Sequence, residues 1–259
     1  MTPERFTYGL KVAYDGSAYH GWQRQPGVAT VAGRLEEALA NSTGQAVIVS
    51  AAGRTDAGAH ALGQVARVQL DTAWDSSALR AACNRLLPAD VRVVEVARMS
   101  DSFDPRRDAW RRTYRYLVRT AAWPQPVGRM YWWEQPRPLE LAPMRLAARR
   151  LLGRHDFAAF GSSPAPGGST VRTLDRSEVA EIRDGVRLEF RADAFLRGMV
   201  RSLAGCLVAV GAGRLTGAAL QQWLERPLPR AASPWAAPAR GLHLWQVEYR
   251  WPVHKGVAA

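Results

Sequence analysis

The sequence predicts an α+β fold made of two similar split units, each running β-α-β-β-α-β. Three observations predict it. Apolar residues switch from a period of two to a helical period and back along the first hundred residues. A second stretch of the same alternation follows, interrupted by proline-rich connections at 124–126, 136–143 and 227–238. Turn pairs such as Asp15-Gly16 and Asp184-Gly185 punctuate the strand-like runs.

Each element has its own local signal. Thr7–Tyr14 (TYGLKVAY) reads as a strand stopped by Asp15-Gly16. Val31, Leu35, Ala38 and Leu39 share one helical face, with Thr30 as N-cap and Gly44 as stop. Ala46–Ser50 (AVIVS) is short and β-branched, a strand, and Gln64–Leu70 is another. Leu79, Ala82, Cys83 and Leu86 mark a helix ended by Pro88, and Val91–Ala97 alternates as a strand. In the second half, Thr113–Arg119 is a strand and Leu141–Leu152 a helix. Ser177–Ile182 and Val186–Ala192 form a hairpin about Asp184-Gly185. Phe195–Val210 is a long helix, and Leu242–Trp251 a closing strand. This is the order of a ferredoxin-like, or RRM-like, split βαβ unit. It divides the chain into residues 1–105 and 106–259. Laid edge to edge, the units are expected to form one extended antiparallel sheet with helices on one side. The open face would admit a nucleic-acid helix, with a catalytic cleft at the centre.

Charge narrows the function. The 259 residues carry a formal charge of +12, and all of the 35 basic residues except Lys11 and Lys255 are arginine. A GC-rich genome gives the same bias. A basic protein of this kind nevertheless suits a polyanion, because each phosphate contact releases condensed counterions. Arginine also binds phosphate bidentately and stacks on bases. Scarce lysine excludes a GxxxxGK[ST] phosphate loop and argues against a Schiff-base lysine; HExxH, paired CxxC and GxGxxG are absent too. No cofactor and no metal are expected. Cys83 and Cys206 read as reduced core thiols. Met1–Tyr14 has no apolar signal region and no stretch is long enough to span a membrane, so a cytoplasmic protein is expected.

Three features carry chemistry. Asp56 sits in "AAGRTDAGAHALGQV", a loop between two strands, where turn chemistry alone would also favour Asp and Gly. In Arg112-Thr113-Tyr114-Arg115-Tyr116, the tyrosines share one strand face. Tyr116 is expected in the core. Tyr114, beside Arg106, Arg107, Arg111 and Arg112, suits base stacking as well as core packing. In "FLRGMVRSLAGCLVAVG", Arg197 and Arg201 fall at i and i+4, and Arg201 lies among apolar residues, so it requires an anion. Asp56 is the candidate.

These residues resemble a known family. "GRTDAGAHALGQV" is similar to the signature loop of the TruA family of tRNA pseudouridine synthases. "YDGSAYHGWQRQ", "RRTYRY", "GRHDFAAF", "FLRGMVRSLAG", "VGAGR" and "PARGLHLWQVEY" resemble further blocks of that family, in its order, from about Tyr8 to Tyr249. The resemblance implies Asp56 as nucleophile, Arg54 as the arginine that expels the target base, Tyr114 as the residue stacked on uracil, and Arg201 as the partner of the aspartate. Arg24, Arg106 and Arg111 are expected to meet RNA phosphate. The chain departs from the family at Ala59, where Val is usual, and at Phe103-Asp104-Pro105-Arg106, where many relatives read Phe-His-Ala-Arg.

The reaction that the resemblance implies detaches uracil from C1′ at N1, turns it and rejoins it through C5. One nucleophile suffices, attacking C1′ or C6. The target lies at tRNA positions 38, 39 and 40, in the anticodon stem-loop, and the enzyme is expected to be a homodimer. A non-catalytic RNA-binding protein would explain the charge but would not need Asp56. A nucleoside glycosidase would need a second carboxylate, which the matched blocks lack.

Overall fold

The computed structural model describes residues 5–121, 123–163, 167–226 and 235–250. Among them the architecture is mixed α+β, with ten strands and five α-helices, and the strand pairings are mostly antiparallel. Contacts divide the chain into two compact units, Met1–Arg111 with Leu244–Ala259, and Arg112–His243.

The first unit contains β1 (Phe6–Tyr14), α1 (Val31–Thr43), β2 (Ser50–Ala51), β3 (His60–Leu70), α2 (Ser76–Leu86) and β4 (Val91–Arg98). It also holds most of β10 (Leu242–Tyr249). Its strands follow the order β4-β1-β3-β10, with β2 on β3. Alternation along β1 sends Tyr8, Leu10, Val12 and Tyr14 to one face, all buried. Register then sets Leu10 beside Ala66 and Val96. Helix α1 covers this face with Val31, Leu35, Ala38 and Leu39, and α2 adds Leu79 and Cys83. Burying each Leu contributes about 1.5–3 kcal/mol. The caps are those the sequence marks: Thr30 accepts from the amide of Gly33, and Gly44 takes a φ of 72°.

The second unit begins within β5 (Ala109–Thr120). It continues through β6 (Trp133–Gln135), α3 (Leu141–Arg150), β7 (Gly153–Asp156), β8 (Val171–Ile182), β9 (Gly185–Ala192), α4 (Met199–Gly211) and α5 (Gly217–Glu225). Its strands follow β5-β9-β8-β7, with β6 parallel to β5. Every residue of α4 except Arg201 is buried. Tyr116 is fully buried, with its hydroxyl donating to the carbonyl of Pro238 at 2.7 Å, as expected of a core tyrosine. On the opposite sheet face, Glu189 is 2% exposed between Arg115 at 2.6 Å and Arg176 at 2.7 Å. Burial raises its carboxyl, but the hydrogen bonds from Arg176 and Arg115 outweigh burial and leave it below its ordinary value. Cys83 and Cys206 are buried free thiols, and burial pushes Cys83 up to about 11.

Two expected elements need correction. Only Ser50–Ala51 of the AVIVS region pairs, with Arg67 and Ala66. Ile48 is 84% exposed and the amide of Val49 donates to the Glu36 carboxylate, so this β-branched run has no strand beside it to bury its side chains. The long helix starts at Met199, not Phe195. Gly198 takes a φ of 74°, and Arg197 exchanges backbone hydrogen bonds with Ser162. Arg197 and Arg201 are therefore not neighbours on one helix. Trp251, assigned to the closing strand, lies outside the described residues, as do 227–234 of the last proline-rich connection.

Candidate active site

The Asp56 loop is built in the first unit, between β2 and β3. Its entry is fixed by the amide of Ala52, which donates to Val65 at 2.9 Å. The side chain of Gln64, fully buried, donates to the carbonyl of Gly53 at 2.7 Å. Asp56 opens a tight turn in which the amide of Ala59 returns to the Asp56 carbonyl at 3.1 Å, and Gly58 supplies the φ of 77°. Arg54 is exposed, Thr55 buried and Asp56 half-buried.

A second segment, Tyr14–Trp22, holds this loop from outside. The hydroxyls of Tyr14 and Thr55 lie 2.8 Å apart in a buried contact. The amide of Trp22 donates to the carbonyl of Thr55 at 3.2 Å, and the amide of Gly58 donates to that of Tyr19 at 3.2 Å. Gly21 packs so closely that a Cβ there would lie 2.6 Å from the Thr55 carbonyl oxygen. Gly16 makes a still closer approach to the Ala59 carbonyl. Buried His60 presents Nδ1 at 3.1 Å to both the Gly16 amide and the Asp15 carboxylate.

That segment is itself anchored. The amides of Val31 and Ala32, first in α1, donate to the carbonyls of Gly21 and Trp22, so helix-end donors fix the strap. The Tyr19 hydroxyl donates to Asp90 at 2.7 Å; burial, then that bond, raises its pKa above the ordinary tyrosine range. Neighbouring peptide groups thus lock Asp56 at both sides of its turn. The sequence blocks "YDGSAYHGW" and "GRTDAGAHALGQV" are two halves of one object.

The remaining site residues divide between the units. Arg24 follows the strap, is exposed, and pairs with Glu36 at 3.3 Å. Arg106 is exposed and Arg111 half-buried, both in the first unit. In the second unit, Tyr114 is 8% exposed and meets the ring of Phe195 edge-on at 5.1 Å. Arg201 is half-buried; its Nε donates to the carbonyl of Ala237 at 2.7 Å, and the amide of Ala237 returns to the Arg201 carbonyl. Gly205 allows the Trp235–Ala237 backbone to cross α4, since a Cβ there would collide with the Trp235 carbonyl. The blocks "RSLAG" and "WAAPARG" interlock as the first pair does.

Sequence reasoning assigned no roles to Tyr14, Tyr19, Gly21, Thr55 or Gln64, which hold the loop. Their signal was present as two motif blocks far apart in the chain, but nothing in the spacing told which peptide groups meet. No group of three or more His, Cys, Asp or Glu among the described residues is placed to hold a metal ion. No described helix is long and apolar enough to cross a membrane.

A half-buried aspartate on a loop fixed by its neighbours, with an arginine two residues away in a strongly basic α+β protein, fits an enzyme that acts on a nucleic acid. The profile described as tRNA pseudouridine synthase matches residues 147–250. The tRNA pseudouridine synthase A of Methylobacterium sp. (strain 4-46) is 43% identical over 246 residues, 95% of this chain and 98% of that protein. Its namesake from Brucella ovis is 42% identical over 249 residues, 95% and 98% of the two chains. The chain belongs to the tRNA pseudouridine synthase A (TruA) family and is an RNA-modifying isomerase.

Proposed function

We propose that this chain isomerises uridine to pseudouridine at positions 38, 39 and 40 of tRNA, in the anticodon stem-loop, with Asp56 as the nucleophile. The observation that supports this best is the clamping of the Asp56 turn by the Tyr14–Trp22 strap. A solvated turn needs no buried hydroxyl pair, no glycine pressed on its backbone and no fully buried glutamine beneath it. Catalysis does, because a nucleophile misplaced by about 1 Å loses about 100-fold in rate.

In this reading Arg54 enters the stem and displaces the target base, which must leave the stack before a carboxylate reaches it. Tyr114 offers a ring to the flipped uracil, and Arg201 is the cation that pairs with the aspartate. Asp56 forms a covalent bond to C1′ or C6, N1 releases C1′, and the rotated base rejoins through C5, with the bond to Asp56 broken again before the enzyme is free. N1 takes up a proton and C5 gives one up last. Atoms are conserved, with no water consumed and no electron transferred. Arg24, Arg106 and Arg111 meet phosphate, each unit is a ferredoxin-like variant, and the enzyme acts as a cytoplasmic homodimer.

Incubating the purified protein with unmodified tRNA transcripts and mapping pseudouridine tests the assignment. Pseudouridine at 38, 39 or 40 is expected. Product confined to other stems would refute the proposed target.

A further inference from the structure

His60, the first residue of β3, has no role in the proposed reaction, yet it stands where the Asp56 turn and the strap meet. It follows Ala59, whose amide closes the turn on the Asp56 carbonyl at 3.1 Å. The imidazole is 2% exposed. Its Nδ1 lies 3.1 Å from two groups of the strap, the amide of Gly16 and the carboxylate of Asp15. One nitrogen cannot serve both. The amide needs a lone pair, whereas the carboxylate needs an N–H.

Two observations decide for the amide. Gly16 is buried and begins the short helical turn Gly16–Ala18, so its amide lies outside that turn's own bonds and donates to Nδ1 instead. A buried amide stripped of its acceptor is penalised. The Asp15 carboxylate is already engaged, because Oδ1 accepts from the Ser17 amide at 2.9 Å and from the Ser17 hydroxyl at 2.6 Å. Nδ1 therefore keeps its lone pair, and the ring proton belongs on Nε2.

The consequence reaches Asp56 through the backbone. Gly16 presses on the Ala59 carbonyl so closely that no Cβ fits between them. The same glycine is thus held on two consecutive residues, by contact with Ala59 and by a hydrogen bond to His60. Other bonds seat the strap on Thr55 and Gly58, nearer the start of the turn. Without the Nδ1 acceptor, the strap keeps those bonds and loses its grip where the turn closes.

We propose that His60 is a positioning residue for the reaction: its unprotonated Nδ1 accepts from Gly16 and keeps the strap seated on the Asp56 turn. The inference rests on Asp56 being the nucleophile. It makes a demand that packing alone does not make, an acceptor atom at the place of Nδ1.

The test uses the full chain. Long-range proton–nitrogen correlation spectra of the parent report which imidazole nitrogen carries the proton. His60 is identified among the five histidines by the signals that His60→Asn removes. Its Nδ1 should show the shift of a ring nitrogen without a proton. Turnover and KM for tRNA are then compared in His60→Asn, His60→Gln and His60→Leu. Asn puts an oxygen close to the place of Nδ1, Gln carries its oxygen one bond further out, and Leu has none. Because about 1 Å of misplacement costs about 100-fold, kcat should stay within about 3-fold of the parent in the Asn variant and fall by about 10- to 100-fold in the other two. KM should match the parent's in all three. A proton on Nδ1 would overturn the proposal, and so would equal kcat in the Asn and Leu variants. A raised KM with the parent's kcat would assign His60 to tRNA binding and overturn it as well. The Asn and Gln variants and the parent's spectrum decide the matter even if His60→Leu fails to fold. Absence of any pseudouridine from the parent would instead refute the catalytic reading of Asp56, while the spectrum would still decide which partner Nδ1 serves.

Discussion

Gly21→Ala should uncouple catalysis from folding. Gly21 has a φ of +88°, where an alanine is strained by about 1–2 kcal/mol. Its added Cβ would lie 2.6 Å from the Thr55 carbonyl oxygen and 3.2 Å from both the Asp56 carbonyl carbon and the Ala57 amide. Real Cβ contacts are essentially never below 3.0 Å, so the Thr55 oxygen has to retreat by at least 0.4 Å, from 2.6 to 3.0 Å. Both neighbours of that oxygen belong to the Asp56 turn. Since about 1 Å of misplacement costs about 100-fold, a shift of this size should lower kcat by roughly 3- to 30-fold. Gly27 supplies the control. Its φ is +75° but nothing lies within 4 Å of the added Cβ, so Gly27→Ala carries the backbone strain without the displacement. Both variants should melt a few degrees below the parent. Steady-state turnover and tRNA affinity are measured for the pair. Near-parent affinity with a kcat deficit confined to Gly21→Ala is expected. Equal kcat in the two variants would refute the idea that this close approach positions Asp56.

Other predictions probe the second unit. Glu189→Gln leaves Arg115 and Arg176 facing each other without their carboxylate and should cost about 2–3 kcal/mol by chemical denaturation at neutral pH. Because the folded-state pKa is depressed, the parent's advantage is full above the ordinary value of 4.5 and is lost as pH falls through the lower folded value; unfolding curves across that window should converge. Arg201→Leu suits the apolar helix and leaves the Ala237 amide bonded to the residue 201 carbonyl, but it takes the Nε donor from the buried Ala237 carbonyl, so stability should fall by about 1–3 kcal/mol while turnover falls steeply; parent-like turnover would remove Arg201 from the mechanism. Gly205→Ala drives a Cβ into the Trp235 carbonyl and should destabilise by about 1–3 kcal/mol, read from thermal unfolding.

Element types and most boundaries were legible because periodicity and caps are local signals. The α1 caps at Thr30 and Gly44 are where the sequence puts them. Failures came where a neighbour decides. AVIVS has strand composition, yet a strand needs a partner, and the Val49 amide finds a side chain instead. Phe195–Gly198 has helical composition, but Gly198 in a left-handed conformation and the Arg197–Ser162 bridge start the helix later. That correction removes the like-charge argument about Arg197 and leaves the apolar surroundings of Arg201 intact. Short strands such as β6 and β7, and helix α5, were not read at all, being too brief or too weakly patterned. At the candidate site, the loop that carries Asp56 was legible as a motif between two strands. The groups that hold it were not, because a carbonyl meeting an amide across forty residues leaves no mark in composition.

In the proposed reaction Asp56 performs covalent chemistry on a uridine. Forming the C5–C1′ bond expels the hydrogen on C5, so tRNA carrying tritium there releases label to water when the reaction occurs. Asp56→Asn keeps the shape of the side chain and the backbone bonds of its turn, and it removes one negative charge from a basic surface. Fold and tRNA retention on a filter should persist or strengthen. Tritium release should fall by on the order of 1,000-fold or more, because the nucleophile itself is gone. Release by Asp56→Asn at a rate close to the parent's would contradict the account and leave Asp56 a turn residue.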